Sequence, residues 1–454
     1  MSDHRRRFLR ILWGALVLYE ILNAFFILLL RQIPPSPEGE AFELFSLLSL
    51  LLPVWLILSF RDLLPRVRLF SQTFFLWYFA LGTFWIGAGL GGIFHFVEGM
   101  FPGAAGGRPG ASYSFRAVEG GALLTLLFLS LAVAARFLPP RLIRIDLAFE
   151  GLDPRLEGTT ILHLSDLHVG AWQGEGRLRT IADVVRTISP DILAVTGDVI
   201  DHREDEAQIF ERIFSSLSGK IGTVAVLGNH EYWSLEKEAY PVMRRHGLPV
   251  LKNESLLLER GNGGRIRVVG VDDPAGGDYA PDCGPDLEKA LAGVRPGEFV
   301  LALVHQPTLW EGALCRAAQL TLAGHTHGGQ IGGHPPLPSL ASLFFRQPVG
   351  LFSSTDPRCP GHRLNVSAGL GYYGIPVRIG MLPEMTFVTL CSKAEVAGEG
   401  KRQKNEGRRV LPLKKRRKFF CFLIILNVLV YYKFFLQALA NPKWLLYTDS
   451  WAEM

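Results

Sequence analysis

Five short apolar runs in one stretch of this 454-residue chain each end in a cluster of Asp, Asn, His and Gly, and no other feature constrains the fold as much. Residues 159–164 lead into Asp166-Leu167-His168. Residues 192–195 lead into Gly197-Asp198, with Asp201 close behind. Residues 223–227 lead into Gly228-Asn229-His230-Glu231. Residues 299–304 end at His305, and residues 320–323 end at Gly324-His325-Thr326-His327. Between these runs, residues 177–188 place Ile181, Val184, Val185 and Ile188 at helical spacing, and residues 205–217 also read as helix. Two runs flanking Gly261-Asn262-Gly263-Gly264 read as a hairpin. Strands that alternate with helices fold as layers, with helices covering the sheet faces. Ligand sites of open α/β sheets lie at the carboxyl ends of strands, so all five polar clusters can meet in one place.

The chemistry of those clusters suits metal ions. Carboxylate and imidazole ligands favour Mn, Fe, Zn or Ni, and no thiolate lies among them to demand a softer ion. Residues i and i+2 of an extended segment face the same way, so Asp166 and His168 are expected to grip one ion from the end of a strand. The glycines before Asp198, Asn229 and His325 permit sharp turns and close backbone approach.

The ordered set D-x-H, G-D-x-x-D, G-N-H-E, H and G-H-x-H resembles the calcineurin-like metallophosphoesterases over about residues 156–391. The extended GHTHGGQI and the later SAGLGYYGIPVRIGMLPEMTFVTL are similar to the bacterial membrane-associated subgroup, related to transmembrane proteins with a metallophosphoesterase domain. The resemblance implies a four-layer α/β/β/α sandwich and two divalent metal ions. It implies one ion held by Asp166, His168, Asp198 and His327, and another by Asp198, Asn229, His305 and His325, with Asp198 bridging. Glu231, where many members have Asp, lies outside that ligand set. Two such ions about 3.5–4 Å apart generate a nucleophile near neutral pH and clamp phosphate oxygens. His230, beside Asn229, is then assigned to phosphate binding or to protonating the leaving group. Asp201 is expected to orient a ligand or His230. The family's purple acid phosphatases carry a tyrosine three residues after the bridging aspartate. Here that position is Asp201, so no tyrosinate–iron site is expected. His95, His163, His246 and His362 have no motif around them and read as structural or surface residues. Arg378 reads equally as a phosphate contact or a surface ion pair.

The hydrophobic fraction, 48%, is high, and the excess is concentrated near the two ends. Residues 8–30, 41–60, 69–97 and 117–138 are each near the roughly 20 apolar residues of a spanning helix, giving an all-α region of four transmembrane helices over residues 1–140. The phosphoesterase domain follows over 141–392, then a basic linker (393–418) and an apolar segment (419–454) suited to a fifth span or an interfacial helix. Arg5, Arg6, Arg7, Arg10, Arg61, Arg66, Arg68, Arg136, Arg141 and Arg144 fall on one side of the four spans, which makes that side cytoplasmic and places the catalytic domain there, on a bacterial inner membrane. Against this, RRRFLR at 5–10 resembles a twin-arginine export signal. The five cysteines are scattered and odd in number, with no disulfide framework to read, which fits a reducing compartment.

Residues 151–392 hold 21 Lys/Arg against 27 Asp/Glu, a net −6, so no basic stripe for nucleic acid is expected. With a bilayer as partner, the expected substrate is phosphorylated and lipid-linked, such as the UDP-diacylglucosamine of lipid A synthesis. An exported cell-envelope phosphodiesterase and an idle sensor or scaffold are the other readings. Leu340, Leu343, Phe344 and Phe345 are expected to pack internally, the alternative being a lip that meets acyl chains.

Overall fold

The computed structural model describes residues 139–393, except 171–172, 202–203, 236–237, 279 and 374–376, together with 409–411 and short helical pieces within 121–130. Among the described residues no helix is long and apolar enough to cross a membrane. The apolar runs at 8–30, 41–60, 69–97 and 419–440, and most of 117–138, lie outside the described residues. The chain divides into two compact units, Ala135–Lys414 and a second built from the two ends, and the fold below is that of the first.

Two six-stranded sheets form this unit. The first contains β1 (Arg141–Phe149), β2 (Thr160–Leu164), β3 (Ile192–Thr196), β4 (Gly222–Val226), β11 (Glu384–Ser392) and β12 (Arg409–Leu411), in the order β12-β1-β11-β2-β3-β4. The second contains β5 (Glu254–Glu259), β6 (Arg265–Gly270), β7 (Phe299–Leu303), β8 (Leu320–Ala323), β9 (Gly350–Ser353) and β10 (Arg363–Val366), in the order β5-β6-β7-β8-β10-β9. Strands β2, β3 and β4 run parallel, as do β6, β7 and β8, so their carboxyl ends point the same way within each sheet.

Apolar residues on one face of each sheet meet in a common layer. Ile143, Ile145, Ile161, Ile192 and Val224 from the first pack with Ile266, Val268, Leu301 and Leu320 from the second. The outer face of the first sheet is covered by α1 (Glu175–Ile188), α2 (Glu204–Phe214) and α4 (Ala239–Arg245), through Ile181, Val185, Phe210, Ile213 and Val242. The outer face of the second is covered by α5 (Leu287–Leu291) and α6 (Ala313–Ala317), through Ala290 and Leu314. The helix–sheet–sheet–helix layering is thus seen directly. The hairpin at Gly261-Asn262-Gly263-Gly264 joins β5 and β6 as expected, and α3 (Asn229–Leu235) starts at the third polar cluster.

Three local readings change. The basic segment read as a linker contains β12, which pairs antiparallel with β1. Cys315 and Cys359 form a disulfide, with Cα atoms 5.6 Å apart. Spacing alone hides that pair, because 44 residues separate the partners in sequence and only folding brings α6 against the turn before β10. Finally, Leu340, Leu343 and Phe344 do not pack inside but are exposed.

Candidate metal centre

The five clusters do meet. Strand β2 stops at Leu164, so Asp166 and His168 do not share a strand face, as the D-x-H spacing suggested. Both have positive φ, 50° and 45°, as do Asp198 (50°), His325 (71°) and His327 (50°). Left-handed backbone costs a non-glycine residue of order 1–3 kcal/mol and persists only where the surroundings enforce it. Five of the eight such residues among those described are therefore candidate ligands, turned inward just past their strands. The glycines make room. A side chain at Gly228 would strike the Asp198 carboxylate, and one at Gly324 would strike Ser165 and Asp166.

Two groups of donor atoms result. In the first, His168 Nε2 lies 3.0 Å from His327 Nε2 and 3.6 Å from Asp198 Oδ2. His327 Nε2 is 3.3 Å from Asp166 Oδ1. Ligand atoms of these four buried residues all fall within 4.8 Å of one another. In the second, Asn229 Oδ1 lies 3.1 Å from His305 Nε2 and 2.8 Å from His325 Nδ1. The two imidazole nitrogens are 3.3 Å apart, and His305 Nε2 is 3.2 Å from Asp198 Oδ2. Donors about 2.1 Å from one ion stand roughly 3.0–3.4 Å apart around it, so both groups have the spacing of a coordination shell. Asp198 Oδ2 belongs to each. Among the described residues the first group has the donors and the closeness of a metal site, and the second sets further donors beside it, with His305 near Asp198.

The surroundings hold two of the imidazoles in the tautomer that such binding needs. His168 Nδ1 donates to Asp201 Oδ1 at 2.7 Å, and His305 Nδ1 donates to the Thr196 carbonyl at 2.7 Å, so each turns Nε2 inward as an acceptor. Of the two roles expected for Asp201, orienting a ligand fits better, because its carboxylate is 3.8 Å from His230 Nδ1. His230 Nδ1 meets the Asp201 main-chain carbonyl at 3.3 Å, while the backbone N–H of His230 donates to Asp198 Oδ1 at 2.9 Å. The His325 N–H donates to Asp166 at 3.0 Å.

Two residues carry more than sequence reasoning assigned them. The buried Glu231 carboxylate accepts main-chain N–H groups of Gly228 (2.8 Å), Asp198 (3.0 Å), Val199 (2.6 Å) and Ile200 (3.2 Å), tying the β3 and β4 exits together. Burial and the neighbouring Asp198 push its carboxyl up to about 7, against the pull of those amides. A buried N–H left without an acceptor costs about 1–3 kcal/mol, so this one side chain holds much of the loop geometry. The G-N-H-E motif marks the position, but only the fold shows its four donors. Arg378 is neither a surface ion pair nor exposed to substrate. It is buried and donates to the carbonyls of Ala368, Gly371 and Met381, with His327 Nδ1 3.2 Å from Nη2. Burial lowers it to about 10.

The electrostatics are divided. Burial opposes charge on His168, but the hydrogen bond and charge of Asp201, with Asp198 and Asp166, outweigh it and raise the group to about 9. Burial, with His305 nearby, lowers His325 to about 3. Carboxylates packed this closely attract positive charge, and that same field favours a divalent cation. Trp233 and Tyr373 border the centre, their rings 5.0 Å and 5.6 Å from that of His230.

Residues 159–329 match the calcineurin-like phosphoesterase family. A transmembrane protein with metallophosphoesterase domain from Danio rerio is 30% identical over 62% of this chain and 64% of its own length. The Bos taurus protein of the same name is 30% identical over 56% of this chain and 57% of its own. Both matches span less than two thirds of those relatives. An uncharacterized metallophosphoesterase from Aquifex aeolicus is 29% identical over 51% of this chain and 85% of its own length.

Proposed function

We propose that this chain, whose residues 159–329 form a calcineurin-like phosphoesterase domain, is a two-metal hydrolase of a phosphodiester or pyrophosphate carried by a membrane lipid. One observation carries the hydrolase reading: Asp198 Oδ2 stands between two donor groups, 3.6 Å from His168 Nε2 and 3.2 Å from His305 Nε2. Two bound divalent ions supply a water-derived nucleophile near neutral pH and offset phosphate charge. Asp166, His168, Asp198 and His327 hold one, and Asp198, Asn229, His305 and His325 hold the other. The donor set suits Mn, Fe, Zn or Ni. His230, held through Nδ1 by the Asp201 carbonyl, carries the proton for the leaving oxygen at Nε2. An idle scaffold has no need of this complete set. The test is metal content and turnover of a nitrophenyl phosphodiester by purified chain. An inactive, metal-free preparation that regains no activity with added Mn would sink the hydrolase.

The lipid-linked substrate rests on the apolar runs at residues 8–138, which suit a multi-pass membrane region, and the UDP-diacylglucosamine pyrophosphate of lipid A synthesis is one bond of this kind. The arginine bias favours a bacterial inner membrane with the catalytic domain in the cytoplasm. The Cys315–Cys359 disulfide favours a second reading, since such bonds are rare in reducing compartments. The domain then faces outward, in agreement with RRRFLR as an export signal, and acts on cell-envelope phosphodiesters. Trapping thiols in intact cells with a membrane-permeant maleimide decides between them: Cys315 and Cys359 alkylated without reductant means the cytoplasm, and both protected means the outer side.

A further inference from the structure

Exposed apolar side chains are not scattered over this domain. Of the eight large hydrophobic residues that are exposed among the described residues between 139 and 393, Leu256 alone lies elsewhere. Trp233 and Tyr373 border His230, and the other five lie in the segment 331–344, which follows the last candidate ligand, His327. Leu337, Leu343 and Phe344 are 65%, 75% and 66% exposed.

The segment presents these side chains from a fixed frame. The Leu340 N–H donates to the Ile331 carbonyl at 2.8 Å, the Gly333 N–H to the Pro338 carbonyl at 3.0 Å, and the Gly332 N–H to the Ile379 carbonyl at 2.9 Å. Ala341 is buried beneath, and Gly329 is pressed so closely on Leu340 and Ala341 that no side chain fits there. His334 pairs with the buried Glu384 at 3.1 Å. At its far end, the ring of Phe345 lies 5.7 Å from that of His325, in the second donor group. An apolar surface held out this way marks a site that meets another apolar phase.

Charge narrows the occupant. The domain is net acidic, yet no Asp or Glu occurs between Glu311 and Asp356, and Arg346 follows the apolar tip directly. Leu and Phe beside Arg, without acids, is the composition of a surface that enters an anionic lipid interface. The same chain carries apolar runs at 8–138 long enough to hold it on a bilayer.

We propose that the 331–344 segment is a lip that inserts Leu337, Leu343 and Phe344 among the acyl chains of an anionic bilayer, so that a lipid's phosphoester reaches the metal centre while its chains stay in the membrane. This rests on the hydrolase reading above and adds how the substrate arrives.

The full chain, with Cys283, Cys391 and Cys421 replaced by serine, is labelled with a nitrobenzoxadiazole dye at Leu343→Cys or, as control, at Leu256→Cys. It is reconstituted in vesicles of phosphatidylcholine and phosphatidylglycerol. The dye at 343 is expected to shift to the blue and to lose more than half its emission when the lipids carry bromine on their acyl chains. The dye at 256 is expected to respond to aqueous iodide instead. Iodide quenching at 343 equal to that at 256 leaves the lip in water and overturns the proposal. Shielding at 343 from both iodide and bromolipid puts protein, such as residues 419–440, on the lip and also overturns it. Turnover of nitrophenyl phosphodiester by the same sample separates failure of the lip from failure of the hydrolase.

Discussion

His163 and His168 stand five positions apart on the same strand and its exit, both buried, in opposite surroundings. His163 lies between the sheets. Its Nε2 meets Thr196 Oγ1 at 2.7 Å, and its Nδ1 meets the Asn365 amide at 3.3 Å. Burial therefore dominates, and its pKa falls to about 3. His168 lies past the strand end among Asp166, Asp198 and Asp201, and those carboxylates reverse the sign. Residue type and burial do not separate an interior imidazole from one suited to a metal. Position relative to the strand's carboxyl end does, because the other exits deliver their carboxylates there. His362, which meets Thr321 Oγ1 at 2.8 Å, belongs with His163.

The largest effect is expected at Asp198. Asp198→Ala removes the oxygen common to both donor groups and is expected to lower bound metal from two ions to none, with turnover at background. Metal analysis by mass spectrometry checks it, and a variant that keeps two ions and full activity would end the two-metal reading. His230→Ala is expected to keep both ions and lose roughly 10²–10⁴ in kcat. If the ring acts as the acid, that loss shrinks for a nitrophenolate leaving group, whereas an equal loss on alkyl and nitrophenyl esters assigns it to phosphate binding. Asp201→Asn withdraws the carboxylate that sets the His168 tautomer. Its effect should be a metal affinity about 10–100-fold weaker, measured by competition with a chelating dye. Unchanged affinity would mean that the His168–Asp201 contact orients nothing.

The interior histidine supplies the smallest effect and the sharpest contrast. The folded pKa of His163 lies below its unfolded value, near 6.5. Its contribution to stability is therefore fully present above that value and is lost as pH falls. At about pH 5 the loss amounts to about 2 kcal/mol. His163→Gln should remove this slope while leaving activity unchanged. Denaturant unfolding of both proteins at neutral and mildly acid pH gives the difference, and identical slopes would show that His163 is not held neutral.

Much of this arrangement is legible in the sequence. Five apolar runs ending in polar clusters announced the parallel strands and their common site, because strand burial and chain reversal each leave a local residue pattern. The strands at 192–196, 222–226, 299–303 and 320–323 came within a residue of their expected limits. Strand β1 is hard to read because its alternation of Ile143, Arg144, Ile145, Asp146 and Leu147 lies against the apolar run ending at 138. Strand β12 went unseen because its Arg409-Val410-Leu411 sits in a basic tract, and only pairing with β1 makes it a strand.

The donor inventory and its order along the chain are legible from residues alone, since side-chain chemistry and strand–turn patterns are local properties. Tertiary structure decided which donors stand together, because Asp198 reaches both groups only when β2, β3 and β4 lie beside the exits of β7 and β8. It decided that Glu231 ties four amides, that Arg378 is interior, and that Cys315 meets Cys359. It also decided that Leu337, Leu343 and Phe344 face outward. An apolar residue in a loop carries no sign of which side it will take, and burial is settled only by what the rest of the chain brings against it.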